Sequence, residues 1–138
     1  PYGNITISGN TIPALKLLAT ITHGMRHSDV YPFASQDYTE IDGRAEYDLQ
    51  GPLTLVGILT YRNSLYDTDV VPENVDPIYV QYAAKDGSED TIMARGEIHY
   101  QINAMTMARL WQMYETVDSD VADNFDRSTT GLALTRKF

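Results

Sequence analysis

Residues 53–61 constrain the fold most. Leu53, Leu55, Gly57 and Leu59 fall on one face of an extended chain, and Val56 and Ile58 fall on the other. A strand apolar on both faces belongs in the middle of a sheet, covered on each side. Weaker copies of this alternation precede it. Ile5 and Ile7 share a face within residues 4–8, and Gly9-Asn10 supplies a turn that tolerates positive φ. Residues 14–22 admit two readings. Thr11 and Pro13 can start a helix, yet Leu15, Leu17, Ala19 and Ile21 alternate with Lys16, Leu18, Thr20 and Thr22. We read this segment as a strand hairpinned to the first.

Residues 23–36 carry turn formers at Gly24, Ser28, Asp29 and Pro32 and read as a loop; residues 38–49 alternate loosely, with a break at Asp42-Gly43, and Gln50-Gly51-Pro52 reads as a turn. Residues 63–77, with Asp67, Asp69, Glu73, Asp76 and two prolines, form the longest irregular stretch. Loops of that length inside a compact domain are often functional. Residues 78–82 and a second arm from Thr91 through Tyr100 flank Lys85-Asp86-Gly87-Ser88, a hairpin signal, with Gly96 as an expected bulge. Asn103 is a good N-cap, and Met107, Leu110, Trp111, Tyr114 and Val117 fall three and four apart, predicting an amphipathic helix over 104–117. Residues 118–126 read as an exposed acidic linker, and residues 131–135 as a strand that closes the sheet. The expected fold is a mainly β single domain over residues 1–138: an antiparallel sandwich or barrel of roughly seven short strands, with one C-terminal helix packed on it.

Composition narrows function by exclusion. At 138 residues the chain can bury a sizeable core without disulfides or metals. Its 19 acidic residues against 10 basic ones give a net charge of -9, a field that repels phosphate backbones and anionic lipid. Neither direct nucleic-acid binding nor membrane binding is expected from that field. No apolar run reaches the ~18 residues of a membrane-spanning helix. The absence of cysteine removes thiolate chemistry and cysteine-based zinc sites.

The candidate chemical constellations each fall short. His23 and His27 stand four apart but lack a third metal ligand. Asp118, Asp120 and Asp123 lack the sixth-position glycine and twelfth-position glutamate of a calcium loop. Glu40 with Asp42 and Glu46 with Asp48 are i, i+2 carboxylate pairs of the kind that surface strands routinely carry. Ser8, Ser64 and Ser88 lack a nucleophile elbow, and Pro1 stands without the repeated β-α-β arrangement of proline-based tautomerases. The expectation is a protein that is not an enzyme, with no catalytic residue, no cofactor and no metal. Ten tyrosines against three phenylalanines suit subunit interfaces, although β proteins favour tyrosine in any case.

One segment adds a resemblance. Tyr31-Pro32, then Tyr38, Glu40, Gly43 and Arg44 in the spacing Tyr-x-Glu-x-x-Gly-Arg, resemble a segment of phage DNA-circularisation proteins, which are tail-associated. That resemblance implies a non-enzymatic structural subunit of a phage tail, baseplate or adaptor, assembled in the host cytoplasm and residing in the virion. It would act as a homo-oligomer and contact other particle proteins. The residues expected at interfaces or in structural roles are Tyr31, Pro32, Tyr38, Glu40, Gly43, Arg44, Asp67, Asp69, Trp111 and Tyr114. The alternative is a small β-barrel that binds or isomerises a small molecule, with the helix over 104–117 closing one end.

Overall fold

In a computed structural model the chain forms one seven-stranded antiparallel sheet in which every strand pairs only with its neighbours in sequence. The structure describes residues 2–28, 33, 35–67 and 87–137. The strands are β1 (Tyr2–Ile12), β2 (Leu15–His27), β3 (Ser35–Asp48), β4 (Leu53–Tyr66), β5 (Gly87–Asn103), β6 (Thr106–Ser119) and β7 (Phe125–Arg136). Among the described residues there is no helix and no second layer, and the sheet is open, with β1 and β7 at its edges. The all-β expectation holds, and β4 is the central strand that its apolar pattern implies. The sandwich or closed barrel gives way to a single sheet.

The helix over 104–117 is also corrected: that stretch is β6, paired along its length with β5 and β7. Its Met, Leu, Trp, Tyr and Val residues lie at helical spacing only because both faces of the strand carry apolar side chains. Ala108, Leu110, Gln112 and Tyr114 point one way, and Met107, Arg109, Trp111 and Met113 the other. Asn103 does make a local bond of the type that recommends it as a cap, since its Oδ1 accepts from the Met105 N–H at 3.0 Å. Here that bond closes the β5–β6 hairpin, because an Asx turn serves hairpin and helix start equally well.

Further boundaries move. β2 continues through Gly24 to His27 and β3 begins at Ser35, so half of the expected loop over 23–36 is strand. Gly24 belongs there because Tyr2 and Tyr38 close over it, and a Cβ would stand 3.2 Å from the Tyr2 ring. β4 likewise runs on to Tyr66, shortening the expected loop over 63–77. Gly96 sits opposite Gly57 in unbroken register, so it is no bulge; the irregularities fall at Asn10/Ile12 and Gln101/Asn103. The expected strand over 78–82 and the start of the Lys85-Asp86 turn lie outside the described residues. The turn at Gln50-Gly51-Pro52 holds, with Gln50 at φ 59° and Gly51 at φ 151°, and the Asp48 carboxylate accepts from the Gln50 N–H at 3.0 Å.

The connections alternate between the two ends of the sheet and differ in length. At one end they are short: residues 13–14, 49–52 and 104–105. At the other they span 28–34, 67–86 and 120–124. Phe33, Tyr66 and Val121 form a small buried cluster at this long-connection end, with the Phe33 and Tyr66 rings 5.4 Å apart.

Candidate functional site: two chemically opposite faces

The pairing register sorts every strand residue onto one of two faces, because partners across an antiparallel ladder project to the same side. One row reads Ile5, Ile21, Ile41, Tyr61, Ile92, Thr116, Asp126 across the seven strands. Towards the short-turn end, the next rows on this face are Ile7-Ala19-Gly43-Leu59-Ala94-Tyr114-Ser128 and Gly9-Leu17-Ala45-Gly57-Gly96-Gln112-Thr130. Then come Ile12-Leu15-Tyr47-Leu55-Ile98-Leu110-Leu132 and Leu53-Tyr100-Ala108-Leu134. Across these five rows β1 to β6 carry no charged side chain. Tyrosines mark both margins, with Tyr61 and Tyr114 above and Tyr47 and Tyr100 below.

The opposite face holds the charge. Its rows include Glu40, Arg62 and Thr91; Asp42, Thr60, Glu115 and Arg127; Arg44, Ile58 and Arg95; Lys16, Glu46, Val56, Glu97 and Trp111; and Asp48, His99 and Arg109. Acids and bases pair within it. Arg44 donates to Glu46 at 2.6 Å, the Arg62 Nε to Glu40 at 2.6 Å and the Thr60 hydroxyl to Asp42 at 2.7 Å, and Arg127 pairs with Glu115. Glu97 is the centre of the largest group, with Arg95 and His99 each at 2.6 Å and Arg109 at 3.9 Å. Burial pushes the Glu97 carboxyl up, but the His99 hydrogen bond and the Arg95 and Arg109 charges outweigh it and hold the group below the usual carboxylate range. Arg95 also stacks over Trp111, 4.5 Å from the ring centroid, and Trp111 lies across Gly131, where a Cβ would stand 2.2 Å from the indole.

The two faces differ as sharply in crowding. On interior strands the apolar face stays open, with Ile21 47%, Ile41 45% and Ile92 45% exposed. On the charged face Val56 is 4%, Glu97 5% and Ser64 1% exposed, although no second layer covers them among the described residues. A single sheet crowds the side chains on one face and splays those on the other when it curls toward the crowded face. The exposures here are those of a sheet curled toward its charged face, the reverse of the apolar-in, polar-out arrangement of a β protein in water. Glycine and alanine at 43, 45, 57, 94 and 96 leave a shallow apolar hollow of about 1060 Å³ across the middle of the apolar face.

The polar groups on the apolar face satisfy one another. Gln112 donates to the Ser128 hydroxyl at 2.6 Å and accepts from Thr130. The Tyr61 phenol donates to Asp90 at 2.8 Å and the Tyr114 phenol to Asp126 at 3.0 Å, and both carboxylates lie toward the long-connection end. Hydrogen bonding to these carboxylates raises both phenol pKa values, and the Thr116 and Tyr114 hydroxyls lower that of Asp126. The acidic excess gathers at this same end, in Asp37, Asp67, Glu89, Asp90, Asp118, Asp120, Asp123 and Asp126. The three short turns carry no charge, and Arg136 and Lys137 lie beside them.

The residues expected to matter divide between these surfaces. Tyr38, Glu40 and Arg44 stand on the charged face of β3, where Tyr38 receives Arg26 at 5.5 Å, and Gly43 belongs to the apolar face. Trp111 and Tyr114, expected on one helical stripe, face opposite ways. Asp67 caps β4, its N–H donating to the Ser35 carbonyl at 3.3 Å. Tyr31, Pro32 and Asp69 lie outside the described residues. His23 bonds Thr39 at 3.0 Å, and no group of three metal-ligating side chains forms among the described residues. The Arg95-Glu97-His99-Arg109 group went unread in the sequence. A signal for the charged face existed: Glu40, Asp42, Arg44, Glu46 and Asp48 occupy five consecutive alternate positions. No protein family, curated protein or solved structure matches the chain.

Proposed function

We propose that this sheet is part of the wall of a membrane-spanning β-barrel, with its apolar face toward lipid and its charged face lining a polar interior. The observation that carries this reading is the reversed polarity of a curled single sheet: charges crowded inside, an uncharged belt margined by tyrosines outside. Such alternation, with aromatic girdles, short turns at one end and longer connections at the other, is the pattern of a transmembrane barrel. The dimensions agree. From Leu53 to Tyr61 the belt spans eight residue steps, ~27 Å along the strand at ~3.4 Å each. At the ~40° tilt of barrel strands this is ~21 Å of height, near the ~25 Å apolar band of such barrels. All seven strands, at 11 to 17 residues, exceed the ~9–11 needed to cross.

The net charge of -9 is compatible with this placement because of where the charges lie. The acidic excess sits at the long-connection end, in water under this reading, and the acids and bases of the inner face largely pair. The phenols of Tyr61 and Tyr114 point toward that same end, as girdle tyrosines do when they keep a polar tip in the interface. With ion pairs such as Glu97–Arg95 lining it, the inner face suits passage or housing of water and polar solutes. A tail or baseplate subunit, as the Tyr38-Glu40-Gly43-Arg44 resemblance suggests, is the second reading; it would bury the same outer face against neighbouring subunits.

Because the chain has no cysteine, single cysteines at positions 53–61 carrying nitroxide labels discriminate the two. In phospholipid vesicles we expect positions 55, 57 and 59 to be accessible to oxygen dissolved in lipid, and 54, 58 and 60 to an aqueous nickel reagent. A protein that remains in the aqueous phase with no lipid-accessible label refutes the membrane reading.

A further inference from the structure

We infer that the two open edges of the sheet, β1 and β7, receive an odd number of further antiparallel strands of the same alternation, and do not seal against each other or against a second copy of the chain. This rests on the membrane-wall reading, in which every backbone N–H and C=O within the hydrocarbon must be paired and an open edge is untenable.

Strand direction supplies the first part. Seven strands in a meander leave β1 and β7 running the same way. Joining one to the other, within a chain or around a pore axis between two copies, would make a parallel seam in a sheet whose six existing pairs are all antiparallel. Pairing β1 with the β1 of an inverted copy would be antiparallel. It would also put one acidic long-connection end on each side of the bilayer, which requires several carboxylates to cross it. An odd number of intervening strands satisfies every ladder and keeps the acidic ends together.

The edges themselves are made for a partner. A strand that ends a sheet in water is guarded by lysine, proline or an inward-pointing charge. β1 has none of these along its eleven residues, and β7 has none from Ser128 to Thr135. Their outer-face residues are also among the least covered in their rows, with Ile5 66%, Ile7 69%, Leu132 79% and Leu134 71% exposed, against at most 57% for the large apolar side chains at interior positions of the same rows. One flanking strand on each side would bring them level. The chemistry of those strands follows from the faces they must continue: apolar or small residues beside Ile5, Ile7, Leu132 and Leu134 on the lipid side, and uncharged polar residues beside Asn4, Thr6, Ser8 and Thr129 on the inner side.

Amide hydrogen exchange in detergent micelles, with a capped 11-residue peptide of alternating valine and threonine as probe strand, tests this. In the chain alone, alternate amides of β1 and β7 exchange at least tenfold faster than those of β3 to β5. The peptide slows those edge amides at least tenfold and leaves the interior unchanged. Edge amides already protected in the chain alone, or unaffected by the peptide, overturn the inference. So does a disulfide between Ser8→Cys on one copy and either Ser8→Cys or Thr129→Cys on another. The nitroxide labels on β4 separate the two failures. If they alternate between lipid and water while the edges ignore the peptide, this inference alone falls; if they all report water, the membrane reading falls with it.

Discussion

Leu17 and Leu18 are neighbours in β2, 41% and 40% exposed, and they project to opposite faces. Replacing each in turn by arginine therefore holds residue type, strand and exposure nearly constant and changes only the face. Leu17 lies in the middle row of the apolar belt, level with Ala45 and Gly57, so on the membrane-wall proposal Leu17→Arg places a guanidinium near the bilayer midplane. The cost there is about 2–4 kcal/mol. Leu18 sits on the charged face opposite Arg44, whose carboxylate partner Glu46 is close by. We expect Leu18→Arg to cost no more than about 1 kcal/mol, the scale of a like-charge cross-strand neighbour in a polar setting. Ile21→Arg provides the depth control. Four residues nearer the long-connection end, ~14 Å along the strand, it reaches the tyrosine margin, where the penalty falls to about 0–1 kcal/mol. The assay is equilibrium urea unfolding in phospholipid vesicles. With a slope near 2 kcal/mol/M, Leu17→Arg lowers the midpoint by about 1–2 M and the other two by less than about 0.5 M. Were the outer face bathed in water, arginine at either leucine would fall within about 0.5 kcal/mol of wild type, as surface substitutions do. Equal effects at 17 and 18, or a larger one at 18, refute the assignment of the faces.

Four further outcomes follow from the geometry. Gly131→Val drives its side chain into the Trp111 indole and lowers stability by about 1–3 kcal/mol; pairing it with Trp111→Ala recovers much of that loss in a double-mutant cycle, read by the same unfolding assay. The folded-state pKa of Glu97 is depressed, so its contribution is fully present above the unfolded carboxylate value of about 4.3 and is lost as pH falls through the lower folded value. Wild type and Glu97→Gln should therefore differ in stability at pH 6 and converge under strongly acidic conditions. Spectrophotometric titration should show Tyr61 and Tyr114 ionising above the ordinary tyrosine range, with Asp126→Asn returning Tyr114 toward it. Gly87→Leu meets Val121 at the long-connection end, where even a Cβ would stand 1.9 Å from the valine, and should loosen the Phe33-Tyr66-Val121 cluster, seen as faster exchange of the Asp120 amide that bonds Ser88.

Much of the fold was legible because alternation is a local signal. The pairing of the first two strands, the central strand and the Gln50-Gly51 turn follow from residues close in sequence, although the first turn falls at residues 13–14 and not at Gly9-Asn10, which pair with Leu17 and Lys16. β6 was not legible as a strand, because Met107, Trp111, Met113 and Val117 put apolar atoms on its charged face and so produce helical spacings by coincidence. The two faces were hidden for a different reason. Glu40, Asp42, Arg44, Glu46 and Asp48 display the charged face of one strand, yet the face becomes a surface only when the register sets Arg62 beside Glu40 and Arg109 beside Glu97. Register is a property of pairs of strands, and a count of charges along one chain discards it. The net charge carried the same loss: it sums paired inner charges with an acidic rim and so hides their separation.

The unequal connections also govern how the sheet can be assembled. In a strict meander every partnership is between sequence neighbours, so the mean separation of contacting residues is low for an all-β chain and pairing can propagate hairpin by hairpin. The exception is the joint between β4 and β5. Closing the 20 residues from 67 to 86 costs about 1.4 kcal/mol more loop entropy than closing the four from 49 to 52, roughly a tenfold disadvantage. β1–β4 and β5–β7 should therefore zip as separate units, and their docking along β4 and β5 should limit the rate. Shortening the connection would speed folding without altering either face.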